Sequence, residues 1–313
     1  MIPFYRKLPA KGKRSSSLSL SLSKGRESAI LFSYPFQLSR SPPRTTPTPT
    51  LPRSCYNGCG TLRRIAMISL LTDFGIKDTY VAELKLVLLS HGIEQVLDIS
   101  HHVEAGNPRH GQFLLQSVYQ RFPAGTVFLA VVDPGVGTKR APVAVHLDHH
   151  WFVGPDNGLF SFACKGKTFH IDTDDPLFSP QCSNTFHGRD IFAPAAAGIH
   201  NNVNRFLKKT VGLSVVRPIS FVEEITALSN GEILHIDGFG NLVTSVRNQL
   251  LGRVTLELDG KIIVQSHSTF AEGGDGLFMV PGSKGLIEIV ARERRASDIL
   301  RTEIGTGIEV RIK

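Results

Sequence analysis

The sequence predicts an α/β protein in two parts: an N-terminal α/β domain around a central, mostly parallel sheet, and a smaller C-terminal all-β, barrel-like domain. Three observations carry that expectation. Short apolar runs at 67–72, 95–99 and 126–132 alternate with helical patterns, as in a sheet covered on both faces. From about residue 228 the helical period gives way to a succession of short β-rich segments. Ahead of Met67 the composition is of a different kind, which sets a leader at 1–66 and domains at 67–225 and 226–313.

The leader holds the Ser15–Ser23 run interleaved with Leu, then Ser41-Pro42-Pro43 and a Thr/Pro stretch over 45–50. Residues 1–64 carry 12 Lys or Arg against a single acid, Glu27. Ser- and Arg-rich, acid-poor composition is that of an organellar transit peptide, with a disordered tail lacking an address as the alternative. Serine content favours a plastid over a mitochondrion. The rest of the chain has 23 basic and 26 acidic residues, so the net charge of +8 belongs to the leader. No basic face suited to a phosphate backbone stands out in the body, apart from Arg292, Arg294 and Arg295, and no nucleic-acid partner is expected. No apolar run reaches membrane-spanning length, so no membrane partner is expected either. Cys55, Cys59, Cys164 and Cys182 are too few and too scattered for a disulfide framework or a zinc site.

Within the body, residues 67–72 read as a buried strand, and Asp78 is placed to cap a helix with Tyr80, Leu84, Val87 and Leu88 on its apolar face. Residues 95–99 are a second strand, 109–121 a helix and 126–132 a third strand. In such sheets ligands sit beyond the carboxyl ends of the strands, where Asp73 and Asp133 fall. The β part comprises 231–236, 241–247, 253–258, 261–265, 285–291 and 307–312, with Asp259-Gly260 as a two-residue hairpin turn.

Five polar, Gly-punctuated segments are candidates for chemistry: 72–75 (TDFG), 131–138 (VVDPGVGT), 154–161 (GPDNGLFS), 185–197 (TFHGRDIFAPAAA) and 236–241 (IDGFGN). Taken singly, each has a structural explanation. Asp73 and Asp190 could cap helices, Asp156-Asn157-Gly158 is an ordinary turn, and a lone His187 is more often a hydrogen-bonded structural residue. Gly135-x-Gly137 is no dinucleotide fingerprint, because Arg140 occupies the third small position. Asp73, His101, His102, Asp133, Asp156, His187 and Asp190 could ligate a metal, but they lack a metallohydrolase spacing.

Taken together and in this order, the five segments resemble the S-adenosylmethionine hydroxide adenosyltransferases, hydrolases related to the bacterial fluorinase and chlorinase. The resemblance runs from about residue 67 to the C-terminus. It implies hydrolysis of S-adenosylmethionine to adenosine and methionine by water attacking the ribose 5′ carbon, with no cofactor. The family's catalytic Asp, Arg and His match Asp133, Arg140 and His187. Asp73 matches the acid that binds the ribose hydroxyls. Asp237 and Asn241 match polar residues around the methionine ammonium, while Phe186 would supply an apolar wall and Ser283 would lie near the methionine or adenine end. The family's homotrimer places each site between the N-terminal domain of one copy and the C-terminal domain of the next. Halogenating relatives replace the acid at the Asp133 segment with a tyrosine-type residue and lack this His, which favours water over halide as the nucleophile. Ala291-Arg292-Glu293-Arg294-Arg295 departs from the small Asn/Gly-rich stretch of the family and would narrow the adenine pocket or point to solvent. An adenosyl halide synthase and a non-catalytic S-adenosylmethionine-binding protein are the alternatives.

Overall fold

The computed structural model describes residues 67–209, 212–225 and 228–313. The leader at 1–66, with Cys55 and Cys59, lies outside the described residues.

The first half of the body contains, in chain order, β1 (Ile68–Thr72), α1 (Tyr80–Ser90), β2 (Val96–Ser100), α2 (Pro108–Gln116), β3 (Val127–Val131), β4 (Pro142–Leu147), β5 (His150–Pro155), β6 (Lys167–Ile171), α3 (Ala193–His200) and β7 (Leu207–Lys209). The strands form one seven-stranded sheet of order β2-β1-β3-β5-β4-β6-β7. The β2-β1-β3-β5 portion is parallel. Beyond β5 the pairing turns antiparallel through β4, β6 and β7. The sequence did not reveal this portion, because β4 and β6 carry polar residues among their apolar ones.

Every residue of β1 and β3 is buried, as both-face coverage requires. Ile68 and Leu70 of β1 pack with Leu84 and Leu88 of α1 and with the Ala-rich α3. Leu71 faces the opposite way, toward Phe113 and Leu115 of α2. Gly154 allows β5 to lie close beside β3, since a Cβ there would fall 2.1 Å from the Ala130 carbonyl oxygen. Asp78 does not cap α1. The cap position is Thr79, whose hydroxyl bonds Glu83 instead of the helix backbone. The predicted 109–121 helix ends at Gln116, and a separate 3₁₀ turn follows at Tyr119–Arg121.

The second half consists of β8 (Leu228–Ile236), β9 (Leu242–Arg247), β10 (Val254–Leu258), β11 (Lys261–Ile263), β12 (Leu277–Pro281), β13 (Leu286–Ala291), the short α4 (Ala296–Leu300) and β14 (Gly307–Ile312). Its seven-stranded sheet has order β11-β10-β14-β8-β9-β13-β12 and is antiparallel throughout. The chain leaving β11 returns beside β12, where His267 N donates to Met279 O and Met279 N to Gln265 O, nearly closing the sheet into a barrel. Asp259 (φ 48°) and Gly260 (φ 74°) make the left-handed pair of a tight hairpin turn, as expected. β12 was not foreseen.

The two sheets belong to one compact unit. Leu234, Val243 and Leu286 of the second sheet share a core with Phe113, Phe128 and Phe152 of the first half.

Candidate active site

Asp73 directly follows β1 and Asp133 lies two residues past the end of β3, so adjacent parallel strands deliver two carboxylates to one sheet edge. The segment after Asp133 folds back on itself through Val136 N to Asp133 O and Thr138 N to Gly135 O. Gly137, at φ 76°, packs against the Asn184 carbonyl where a side chain would collide. This fold-back returns Arg140 to Asp133.

Arg140 holds Asp133 with Nε 3.0 and 2.9 Å from the two carboxylate oxygens and Nη2 2.5 Å from Oδ2. Both side chains are buried. The same Nη2 lies 2.6 Å from Nδ1 of His187. A guanidinium only donates, so Nδ1 accepts, and the neutral ring carries its proton on Nε2. Burial, and after it the Arg140 charge, hold His187 below the ordinary histidine range, against the opposing pull of Asp133 and Asp190. The three residues therefore form one hydrogen-bonded group whose imidazole is neutral at neutral pH.

His187 is positioned by an irregular helix start. It precedes a π-helical turn, Gly188–Phe192, that runs into α3; such turns recur at functional sites. Asp190 does not cap α3. It accepts from Ser183 N at 2.8 Å and pairs with Arg189, which also reaches Glu83 of α1 at 2.9 Å. Burial raises the Asp73 carboxyl, opposed by a hydrogen bond from Gly106 N at 2.8 Å, and the nearby Asp133 charge raises it further.

A cavity of about 350 Å³ opens beside this group. Asp133, His187, Glu83 and Arg189 border it, with Phe74, Tyr80 and Phe186 as three mutually edge-on rings 5.3 to 5.9 Å apart. Phe186 is one of the rings lining this cavity. Sequence reasoning missed Tyr80 as a wall residue by assigning it to the helix core; it is 47% exposed. Glu83 and Arg189 were also missed, since their pairing spans 106 positions in the chain.

Asp237 and Asn241 lie elsewhere. They border a second cavity of about 600 Å³, together with Phe239, Phe270, Phe278 and the arginine segment 292–295. Asp237 accepts from Phe239 N, Asn241 N and Asn241 Nδ2, which closes the 237–241 loop on itself. Arg295 backs that loop through Gly238 O at 2.9 Å. The arginine segment therefore lines the cavity, and Phe239 stands 81% exposed at its edge. Ser283 is brought into neither cavity. It is exposed in the turn before β13, roughly 20 Å of strand from Ala291 at the other end.

Comparisons with known proteins match nearly all of the described chain. Residues 68–218 match the N-terminal domain of the SAM hydroxide adenosyltransferases, and residues 231–309 match their C-terminal domain. The chain belongs to the SAM hydroxide adenosyltransferase family. A relative named (R)-S-adenosyl-L-methionine hydrolase, from Thermus thermophilus, is 33% identical over 256 residues, covering 77% of this chain and 97% of the relative. A protein of the same name from Methanocaldococcus jannaschii is 28% identical, over 78% of this chain and 95% of its own length. Among solved structures, a conserved protein of Thermotoga maritima superposes with a TM-score of 0.70 at 30% identity, over 78% of this chain and 99% of its own. The matched family domains contain every predicted site residue.

Proposed function

We propose that this member of the SAM hydroxide adenosyltransferase family hydrolyses S-adenosylmethionine to adenosine and methionine. The observation that carries it is the hydrogen-bonded Asp133–Arg140–His187 group at the carboxyl end of β3, bordering an aromatic-walled cavity. Named S-adenosylmethionine hydrolases align over most of the chain and support the same chemistry.

Water attacks the 5′ carbon of the ribose, and the C5′–S bond breaks with its electron pair passing to sulfur. Methionine leaves as a neutral thioether, so no acid is needed at the leaving group. The water proton needs an acceptor. His187 cannot accept it at Nδ1, which is taken by Arg140, nor at Nε2, which is already protonated. Asp133 is therefore assigned as the base, held by Arg140, while His187 Nε2–H orients the water. Asp73 takes the ribose hydroxyls, Phe186 packs on the substrate, and Asp237 with Asn241 takes the ammonium end. Hydrolysis of this kind calls for no metal or organic cofactor.

The two functional halves, 67–225 and 226–313, are proposed to meet between copies in a homotrimer. What supports this is that the cavity holding Asp133 and the cavity holding Asp237 share no residue within one chain. The Ser-rich, acid-poor leader supports delivery to an organelle, plastid ahead of mitochondrion.

Incubation of the protein with S-adenosylmethionine, with and without chloride, tests the activity. Adenosine in both is expected. Chloroadenosine would assign a halogenase, and binding without turnover would reduce the chain to a binding protein.

A further inference from the structure

Helix α2 meets β8 at the seam between the two halves, where polar contacts gather. Arg109 forms an ion pair with Glu232 and donates to the Arg217 carbonyl. One residue on, His110 is 3% exposed and its Nε2 lies 2.8 Å from Nδ1 of His235. The two rings lie edge to edge, their planes 28° apart and their centroids 5.1 Å apart, as an in-plane N–H···N bond requires.

The direction of this hydrogen bond follows from its surroundings. Glu104 N donates to His110 Nδ1 at 3.0 Å. The neutral ring therefore carries its proton on Nε2 and donates it to His235, whose own proton sits on Nε2. Burial, with His235 and Lys284 nearby, pushes His110 down to about 4. Burial and Lys284 lower His235 as well, with Asp237 acting the other way. Lys284 is itself tied to Ser117 Oγ at 3.0 Å and lies over the Phe113 ring. Both imidazoles are then neutral at neutral pH, as a single N–H···N bond requires.

Each partner is anchored to a different part of the candidate site. On the α2 side, Glu104 opens the turn 104–107, whose Gly106 N donates to Asp73 at 2.8 Å. Asn107 of the same turn caps α2 by accepting from His110 N at 3.1 Å. On the other side, His235 stands two residues before Asp237, which organises the 237–241 loop.

We propose that the His110–His235 hydrogen bond is a positioning link that sets the 237–241 loop against the turn holding Asp73. Neither ring touches substrate. In the three-copy arrangement proposed above, those segments serve adjacent sites, so the link fixes the angle between the half-sites each copy contributes.

The inference rests on S-adenosylmethionine being the substrate, and the test separates the two. His235→Phe keeps an aromatic ring and removes the acceptor. His235→Asn restores an acceptor oxygen close to the Nδ1 position. With S-adenosylmethionine, the Phe variant is expected to raise KM about fivefold, the factor an ordinary net hydrogen bond is worth, while kcat and its pH profile stay near wild type. The Asn variant should return KM to within about twofold of wild type. Hydrogen exchange of the 104–107 amides should quicken in the Phe variant, across the seam from the substitution, and recover in the Asn variant. Equal behaviour of the two variants, or wild-type KM and exchange in both, would overturn the link. If the wild-type protein turns over no S-adenosylmethionine, the functional assignment fails, and the exchange comparison still decides the link.

Discussion

Replacing Arg140 by methionine removes the central donor of the site at little change in side-chain length. Asp133 loses contacts at 3.0, 2.9 and 2.5 Å, and His187 loses one at 2.6 Å. Asp133 is 5% exposed and Arg140 8%, so solvent has little access to replace the missing donors. Stranding one member of a buried ion pair costs about 3–5 kcal/mol. A protein of this size loses about 2–4 °C of melting temperature per kcal/mol, so Arg140→Met should melt about 6–20 °C lower. Turnover should fall about 100-fold or more, because the carboxylate is no longer held in line with the water. The pH response is a separate readout. His187 is lowered first by burial and second by Arg140, so removing Arg140 leaves only the first cause. The His187 ring should then take up its proton at a higher pH than in the wild type, as an NMR titration of its imidazole would show.

The sign of the stability effect follows. A ring whose folded pKa is depressed binds its proton more readily when unfolded. Wild type therefore loses stability as pH falls below about 6.5, the unfolded value, until the folded ring also protonates. Arg140→Met should lose less over that window. Melting curves at about pH 8 and about pH 5.5, with a turnover assay and an NMR titration of His187, measure all three effects. A melting temperature within about 2 °C of wild type, together with an unmoved His187 titration, would refute the account.

Two further substitutions probe the same site. Asp133→Asn should lower turnover by about 10²–10⁴-fold, the span of general-base catalysis, while calorimetry shows substrate binding preserved. His187→Gln keeps a donor near the Nε2 position and should stay within about tenfold of wild type, unlike His187→Ala; equal losses in Gln and Asn variants would transfer the base to His187. Gly154→Ala places a Cβ 2.1 Å from the Ala130 carbonyl oxygen and must part β5 from β3. A loss of about 1–3 kcal/mol is expected in a denaturant melt, and turnover should fall with it because Asp133 is carried by the end of β3.

The sequence by itself determined the local elements and the ordered segments at their ends. The alternation of apolar runs with helical periods places Asp73 after the first strand and Asp133 after the third, because strand ends and turn residues are local properties of the chain; that these two strands are neighbours is a fact of the sheet. Asp259-Gly260 is legible for the same reason: the turn it makes needs two left-handed residues in succession. The family resemblance supplied Arg140 and His187, since five short segments in one order identify a family better than any one of them. What the sequence left open depended on contacts far apart in the chain. The pairing of β4 with β5 and β6 turns antiparallel where periodicity shows no change, and Tyr80 faces a cavity because Phe186, more than a hundred residues away, packs against it. Asp78 and Asp190 carry a helix-capping signature, yet Thr79 takes the cap of α1 and Asp190 is drawn to Arg189 and Ser183. Tertiary structure alone brought Arg140 Nη2 to Nδ1 of His187, and with it the position of the imidazole proton. A proton's place on a ring depends on which partner the other nitrogen meets, and only the folded chain supplies that partner.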